Sequence, residues 1–201
     1  MSFESYTIVI TGIGGQGLIT LIEILGNSLV NNGYKVITSE THGLSQRGGK
    51  VVCFLRFGNK INAPIPIIGS ADMIISLEKN CINDVLKFAK ADKSTKLIIF
   101  SYDEGSTGKV ISLNNSIINN ISEFSDNIYF IPTNHIAEKF NFNMKVINMV
   151  LLGYILRFLP LNEEDLKTSL ILKFSGDILK LNVKALNEGV TLEPYNIFKK
   201  D

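Results

Sequence analysis

The chain has 201 residues, of which 45% are hydrophobic and 19% charged, with a formal net charge of +1. That length supports a core of ordinary size without a metal or disulfide staple. Lys and Arg are dispersed, which excludes the basic block of a strong nucleic-acid footprint, and two cysteines exclude a four-thiolate cluster built by this chain alone.

The apolar run 6–11 reads as a buried strand, and the glycine-rich stretch 12–17 (GIGGQG) follows it without a linker. Leu18, Leu21, Ile22, Leu25 and Leu29 recur at helical spacing, so a helix is expected from about Gly15 to Leu29, ended by residues 31–33. A second strand over 34–39 would complete a β-α-β unit. Residues 41–49 (THGLSQRGG) are too polar and glycine-rich for a strand interior. Residues 50–57 form a third strand with weak alternation, so both of its faces are expected to be buried.

Turns with Pro64 and Pro66 lead to a strand over 72–77, a helix over 79–90 and a strand over 96–101. Residues 103–108 read as a turn and 110–113 as a short strand. The last strand is 128–131, after which Pro132 is expected to open a turn. Helices are expected over 135–140 and 143–158. Another starts at Asn162 or the acidic run 163–165, since negative charge suits a helix N-terminus, and a final helix over 174–187 ends at Gly189. The alternation of elements predicts an α/β fold, a three-layer Rossmann-like domain with a largely parallel sheet and a helical C-terminal third packed back on it. One domain over 1–201 is expected.

The N-terminus lacks a basic segment followed by a cleavable apolar core, and no apolar run reaches transmembrane length. A cytoplasmic protein with no membrane partner is expected.

Gly12, Gly14 and Gly17 fit GxGxxG, a pattern suited to a tight turn, close backbone approach and an anion facing a helix N-terminus. Gly15 and the Gln16 amide widen the contacts available there. A dinucleotide would also need an acid near the end of the second strand, where Glu40 stands, directly before the His42 cluster. A close helix–strand turn without ligand fits the same residues.

In the second stretch Gly43, Gly48 and Gly49 allow backbone shapes closed to other residues. Arg47 can grip a carboxylate or phosphate through two parallel hydrogen bonds, Gln46 can add one, and His42 can exchange a proton near neutral pH. Ser45 lacks a partner set for nucleophilic work. A structural loop at a subunit interface is the competing reading. Lys50 and Arg56 share strand parity and so one face. His42 and His135 do not form a zinc spacing, Asp103 and Glu104 are too few for a metal, and no metal site is expected. His135 follows a strand end, where a capping or packing role is expected of it.

The pairing of 12–17 (GIGGQG) with 40–49 (ETHGLSQRGG) resembles the β subunit of indolepyruvate:ferredoxin oxidoreductase and the gamma subunit or domain of pyruvate and other 2-oxoacid:ferredoxin oxidoreductases. Phe57-Gly58, Ser70-Ala71-Asp72, Asn148, Leu152-Gly153 and the run from Asn182 through Ala185 to Gly189 extend the likeness over almost the whole chain. Thr41 departs from the aliphatic residue more common before His-Gly.

The resemblance implies oxidative decarboxylation of a 2-oxoacid, chiefly indolepyruvate or another arylpyruvate, with thiamine diphosphate, iron–sulfur clusters and coenzyme A in the complex and ferredoxin as electron acceptor. It implies a large thiamine diphosphate-binding partner subunit that carries those sites, no cofactor bound by this chain alone, and an isolated chain without activity. It makes Gly12, Gly14, Gly15, Gln16, Gly17, His42, Ser45, Gln46, Arg47 and Gly48 the candidates near cofactor or substrate. No catalytic residue is assigned. A stand-alone Rossmann-like nucleotide-binding reductase and a noncatalytic assembly protein are the alternatives.

Overall fold

The structure is a computed structural model that describes residues 4–42, 49–101, 115–140 and 144–193. Its strands are β1 (Tyr6–Ile13), β2 (Val36–His42), β3 (Lys50–Phe57), β4 (Met73–Ser76), β5 (Lys96–Ser101) and β6 (Asn127–Pro132). Its α-helices are α1 (Leu18–Asn31), α2 (Asn115–Ser122), α3 (Thr133–Lys139), α4 (Met144–Ile155), α5 (Glu163–Lys173) and α6 (Gly176–Thr191).

The strands form one mixed sheet in the order β2-β3-β1-β4-β5-β6. β1, β4, β5 and β6 pair in parallel, and β3 runs antiparallel to both β1 and β2. The sheet is therefore largely parallel, as expected, with β3 alone reversed. The β-α-β unit of β1, α1 and β2 is present, with its two strands parallel but not adjacent. α1 does carry the chain from β1 to β2, but β3 returns by a hairpin into the gap between them. Composition explains the exchange. β3 buries Cys53, Leu55 and Phe57 on one face and Phe54 on the other, whereas β2 carries Thr38, Ser39, Glu40 and Thr41. The strand with two apolar faces takes the interior place and the polar one takes the edge.

One face of the sheet is covered by α1, α3, α4, α5 and α6, around Ile8, Ile10, Leu55, Met73, Ile75 and Ile98. The other is covered by α2 and two 3-10 segments, Lys79–Asp84 and Leu86–Phe88, around Val9, Phe54, Ile74, Leu97 and Phe130. The helix expected over 79–90 is thus replaced by tighter turns. Ile82, Val85 and Phe88 are buried at a spacing of three, the period of a 3-10 helix, and Asn80, Asn83 and Asp84 weaken the α-helical alternative. Strand β6 runs through Pro132 and passes directly into α3, so the turn expected at Pro132 is absent. The turn over 103–108 and the strand over 110–113 lie outside the described residues.

The C-terminal third packs back on the sheet through α4 and α6, and their crossing is unusually close. A β-carbon on Gly153 would overlap the Leu186 carbonyl oxygen and stand 2.9 Å from the Val190 nitrogen. One on Gly189 would overlap the Val150 carbonyl oxygen and stand 2.9 Å from the Tyr154 nitrogen. Gly189 therefore does not end α6, which continues to Thr191. It is a contact point where backbone meets backbone. Arg157 holds the end of α6 by donating to the carbonyls of Val190 and Leu192.

α5 starts where the acidic run suggested. Asn162 accepts from the Asp165 backbone N–H at 3.1 Å, and the Asp165 carboxylate accepts from the Asn162 N–H at 2.7 Å. This reciprocal cap satisfies two donors that the helix itself leaves open. Asn162→Ala is expected to lower stability by about 1 kcal/mol, read from the shift of a urea midpoint at unchanged slope.

Candidate functional site

The C-terminal end of β1 is the centre of the candidate site. β1 extends two residues beyond its expected end, so Gly12 and Ile13 are strand residues opposite Val51 and Lys50 of β3. Only residues 14–17 turn. Gly15 (φ 98°) and Gly17 (φ 85°) take the left-handed backbone region that glycine enters without steric cost. Gly17 is also the N-terminal cap of α1.

The turn is clasped from within. Gln16 Oε1 accepts the Ile13 N–H at 2.7 Å, and the Gln16 N–H donates to the Ile13 carbonyl at 3.1 Å. From outside, Asn148 Nδ2 of α4 donates to the Gln16 carbonyl at 2.7 Å. The side-chain oxygen that sequence left open to a ligand is thereby committed to the turn. Gly12 is explained by the same clasp, since a β-carbon there would stand 2.5 Å from Gln16 Oε1 and 3.3 Å from Leu77 Cβ. At Gly17 it would stand 2.7 Å from Asn148 Nδ2.

The two glycine-rich stretches meet at this rim. The Gly14 N–H donates to the Gly49 carbonyl at 2.9 Å. His42 closes β2 opposite Val51, so the loop between β2 and β3 leaves and returns at the end of β1. The backbone of His42 belongs to that frame, while Ser45, Gln46, Arg47 and Gly48 lie outside the described residues.

The rim is also where the chain changes face. β1 leaves into α1 on one side of the sheet, and β4 leaves into the 3-10 segments on the other. Adjacent parallel strands whose connections part in this way open a crevice at their carboxyl ends. At that end of the sheet the Leu77 N–H donates to the Thr11 carbonyl. Lys50 lies beside the crevice and is held by Asp84 at 2.7 Å; that carboxylate raises the Lys50 pKa. Arg56, on the same face as parity predicted, is turned away and donates to the Ala63 carbonyl and to Thr7.

Other sequence candidates are placed apart from this rim. Glu40 stands opposite Cys53 on β2, and β3 separates it from β1. β3 thus holds the place beside β1 where a dinucleotide site has its acid-bearing strand. His135 belongs to α3, which follows β6 at the opposite edge of the sheet. Asp103 and Glu104 lie outside the described residues.

Cys53 and Cys81 are buried and unbridged. Burial, then the Glu40 charge, pushes the Cys53 thiol up to about 12, and burial pushes Cys81 up as well. Such thiols do not suit an iron–sulfur cluster, whose ligands are exposed to it as thiolates. Among the described residues no three His, Cys, Asp or Glu side chains come together to hold a metal. No helix among the described residues is long and apolar enough to cross a membrane.

The model of the family "Pyruvate ferredoxin/flavodoxin oxidoreductase" matches residues 7–192. The chain belongs to that family. Among its relatives is "Indolepyruvate oxidoreductase subunit IorB" of Pyrococcus horikoshii, 32% identical over 197 residues that cover 93% of this chain and 95% of that one. Two solved structures share the fold. Pyruvate oxidoreductase subunit PORC of Thermotoga maritima superposes with a TM-score of 0.68 at 15% identity, covering 93% of this chain and 96% of that one. The 2-oxoglutarate:ferredoxin oxidoreductase of Magnetococcus marinus, solved with 2-oxoglutarate, coenzyme A and succinyl-CoA bound, superposes at 0.72 with 19% identity. It covers 98% of this chain and 33% of that one.

Within this oxidoreductase family fold, the residues that carried the likeness without an evident role now have one. Asn148 pins the glycine-rich turn, Gly153 and Gly189 set the α4–α6 crossing, and Asp72 accepts from the Thr7 N–H and pairs with Lys90 at the far end of β1. Sequence reasoning missed Asn148 as part of the site. Its signal was a lone amide among the apolar residues 146–155 (VINMVLLGYI) of α4.

Proposed function

We propose that this chain is the small subunit of a ferredoxin-dependent 2-oxoacid oxidoreductase of the indolepyruvate or arylpyruvate type. The reading is supported most directly by the Gly14–Gly49 hydrogen bond, which joins both glycine-rich stretches at one crevice. The chain acts as one domain over 1–201, in the cytoplasm, and a large thiamine diphosphate-binding subunit completes the site. In the complex, thiamine diphosphate supplies the carbanion chemistry, iron–sulfur clusters pass electrons to ferredoxin, and coenzyme A accepts the acyl group. This chain provides the rim. Gly12, Gly14, Gly15 and Gly17 shape it, Gln16 locks it, and His42, Ser45, Gln46, Arg47 and Gly48 present polar contacts to the shared region. Arg47 holds an anionic group of substrate or cofactor. The isolated chain is inactive. The interposed β3 disfavours the stand-alone dinucleotide reductase, because it parts Glu40 from the turn.

The test is co-expression with the large subunit and assay of indolepyruvate, pyruvate and 2-oxoglutarate with ferredoxin. Arg47→Ala is expected to lower kcat/KM about tenfold or more while the complex still assembles, and Arg47→Lys should restore little of it, since lysine lacks the planar fork. Unchanged kinetics in an assembled Arg47→Ala complex would remove Arg47 from the site. Full turnover by the unaccompanied chain would sink the subunit reading.

A further inference from the structure

The edge strand β2 is built to be paired. Thr7 and Thr11 direct their carbonyls to the β4 side, so even-numbered β1 residues bond to β3 and odd-numbered β3 residues bond back. Even-numbered β3 residues therefore serve β2, as the Gly58 N–H donating to the Lys35 carbonyl confirms one step beyond the strand. By the same alternation, Val36 and Thr38 send their backbone N–H and C=O groups outward, away from the sheet. No strand among the described residues pairs with that edge. The β2 sequence, VITSETH, also lacks the lysine or proline with which natural sheets blunt an edge.

Exposed apolar side chains flank this edge on both faces. On one side a groove of about 420 Å³ lies between α1 and β2, with Ile19, Ile22, Val30 and Val36 as its apolar lining and Glu23, Asn27 and Glu40 as its polar lining. Ile19 and Val30 are more than half exposed there, at 58% and 54%. On the other side the segment after β3 is tied to β2 by Ser39 Oγ, which donates to the Pro64 carbonyl, and it exposes Ile65, Ile67 and Ile68.

We propose that an extended segment of the larger subunit adds to the sheet as a strand along β2, with alternate apolar side chains seated in the α1–β2 groove. The inference rests on the subunit reading above. Two observations select this occupant. First, β2 ends at His42, where the loop to Gly49 begins, so a strand laid on β2 is carried to the rim that the partner must complete. A second copy paired antiparallel about a two-fold axis would instead set each rim beside the other copy's far end. Second, in the Magnetococcus protein this fold occupies 33% of a chain three times as long, so there the same unit is joined to further protein. Main-chain bonds would give the affinity, and the groove would select the side chains.

The test compares hydrogen exchange of the full chain alone and in complex with the large subunit. The Thr38 amide should exchange fast in the free chain and slow about tenfold or more in the complex. Thr38→Pro removes an outward donor and leaves the β2–β3 ladder intact, and it should raise the Kd of the complex about tenfold or more, with Thr38→Val close to wild type. Unchanged exchange at Thr38 in an assembled complex overturns the docking. So does a Thr38→Pro chain that binds like wild type. A free chain that is already dimeric and protected at Thr38 assigns the edge to a second copy instead. Failure of the wild-type chains to associate at all overturns the subunit reading, and the docking with it.

Discussion

Alanine at Gly153 or Gly189 is expected to destabilise the protein by about 3 kcal/mol or more, lowering Tm by about 6–12 °C in thermal unfolding followed by circular dichroism. Helix propensity alone argues the other way, since alanine favours a helix interior over glycine by about 1 kcal/mol. Packing decides the sign. A methyl group at either position would overlap a main-chain carbonyl oxygen of the facing helix, Leu186 for Gly153 and Val150 for Gly189. Main chain cannot swing aside as a side-chain tip can, so the helices must part. Parting exposes a tightly buried seam that includes Val150, Tyr154, Ala185 and Leu186. The effect also reaches the candidate site, because α4 carries Asn148. A neutral or stabilising alanine at both positions would show that the helices do not cross at this distance.

The second large effect is expected at the clasp itself. Asn148→Asp replaces a buried donor with a carboxylate aimed at the Gln16 carbonyl, and Asn148 is only 4% exposed. The cost is expected to be about 3 kcal/mol at neutral pH, from the lost bond and the buried charge. The new carboxyl should have a raised pKa in the folded state, because burial and the facing oxygen disfavour its ionised form. The folded variant then binds more protons than the unfolded one, so its deficit should shrink as the pH falls from about 8 to about 5, where the neutral acid can donate to Gln16. Gln16→Ala should cost less, about 1–2 kcal/mol, by leaving the Ile13 N–H without its acceptor. In the assembled complex both variants should lose turnover with little change in assembly. A deficit in Asn148→Asp that is flat with pH would mean that the side chain does not face the Gln16 carbonyl.

Local pattern identified most of the elements. The strands over 50–57 and 96–101 stand where apolar runs bounded by turn residues placed them. All five α1 residues picked for their helical spacing are buried. The motif residues were legible because glycine in the left-handed region and a polar, glycine-rich loop are local requirements. The errors came from information that lies elsewhere in the chain. Residues 79–90 read as an α-helix because their apolar spacing fits a period of 3.6 nearly as well as 3.0. Gly189 read as a terminator because the sequence does not display the Val150 carbonyl that makes glycine necessary.

From its sequence alone this chain was committed to alternating α/β elements, a sharp glycine turn after the first strand, a polar glycine-rich loop after the second, and the family those two stretches mark. Only the tertiary structure decided that β3 lies between β1 and β2, that Gln16 turns inward to lock its own turn, and that Asn148, far along the chain, holds that turn from outside. The physical reason is range. Backbone shape and amphipathic period are set within a few residues, whereas strand neighbours and helix crossings depend on which surfaces lose the most water when they meet.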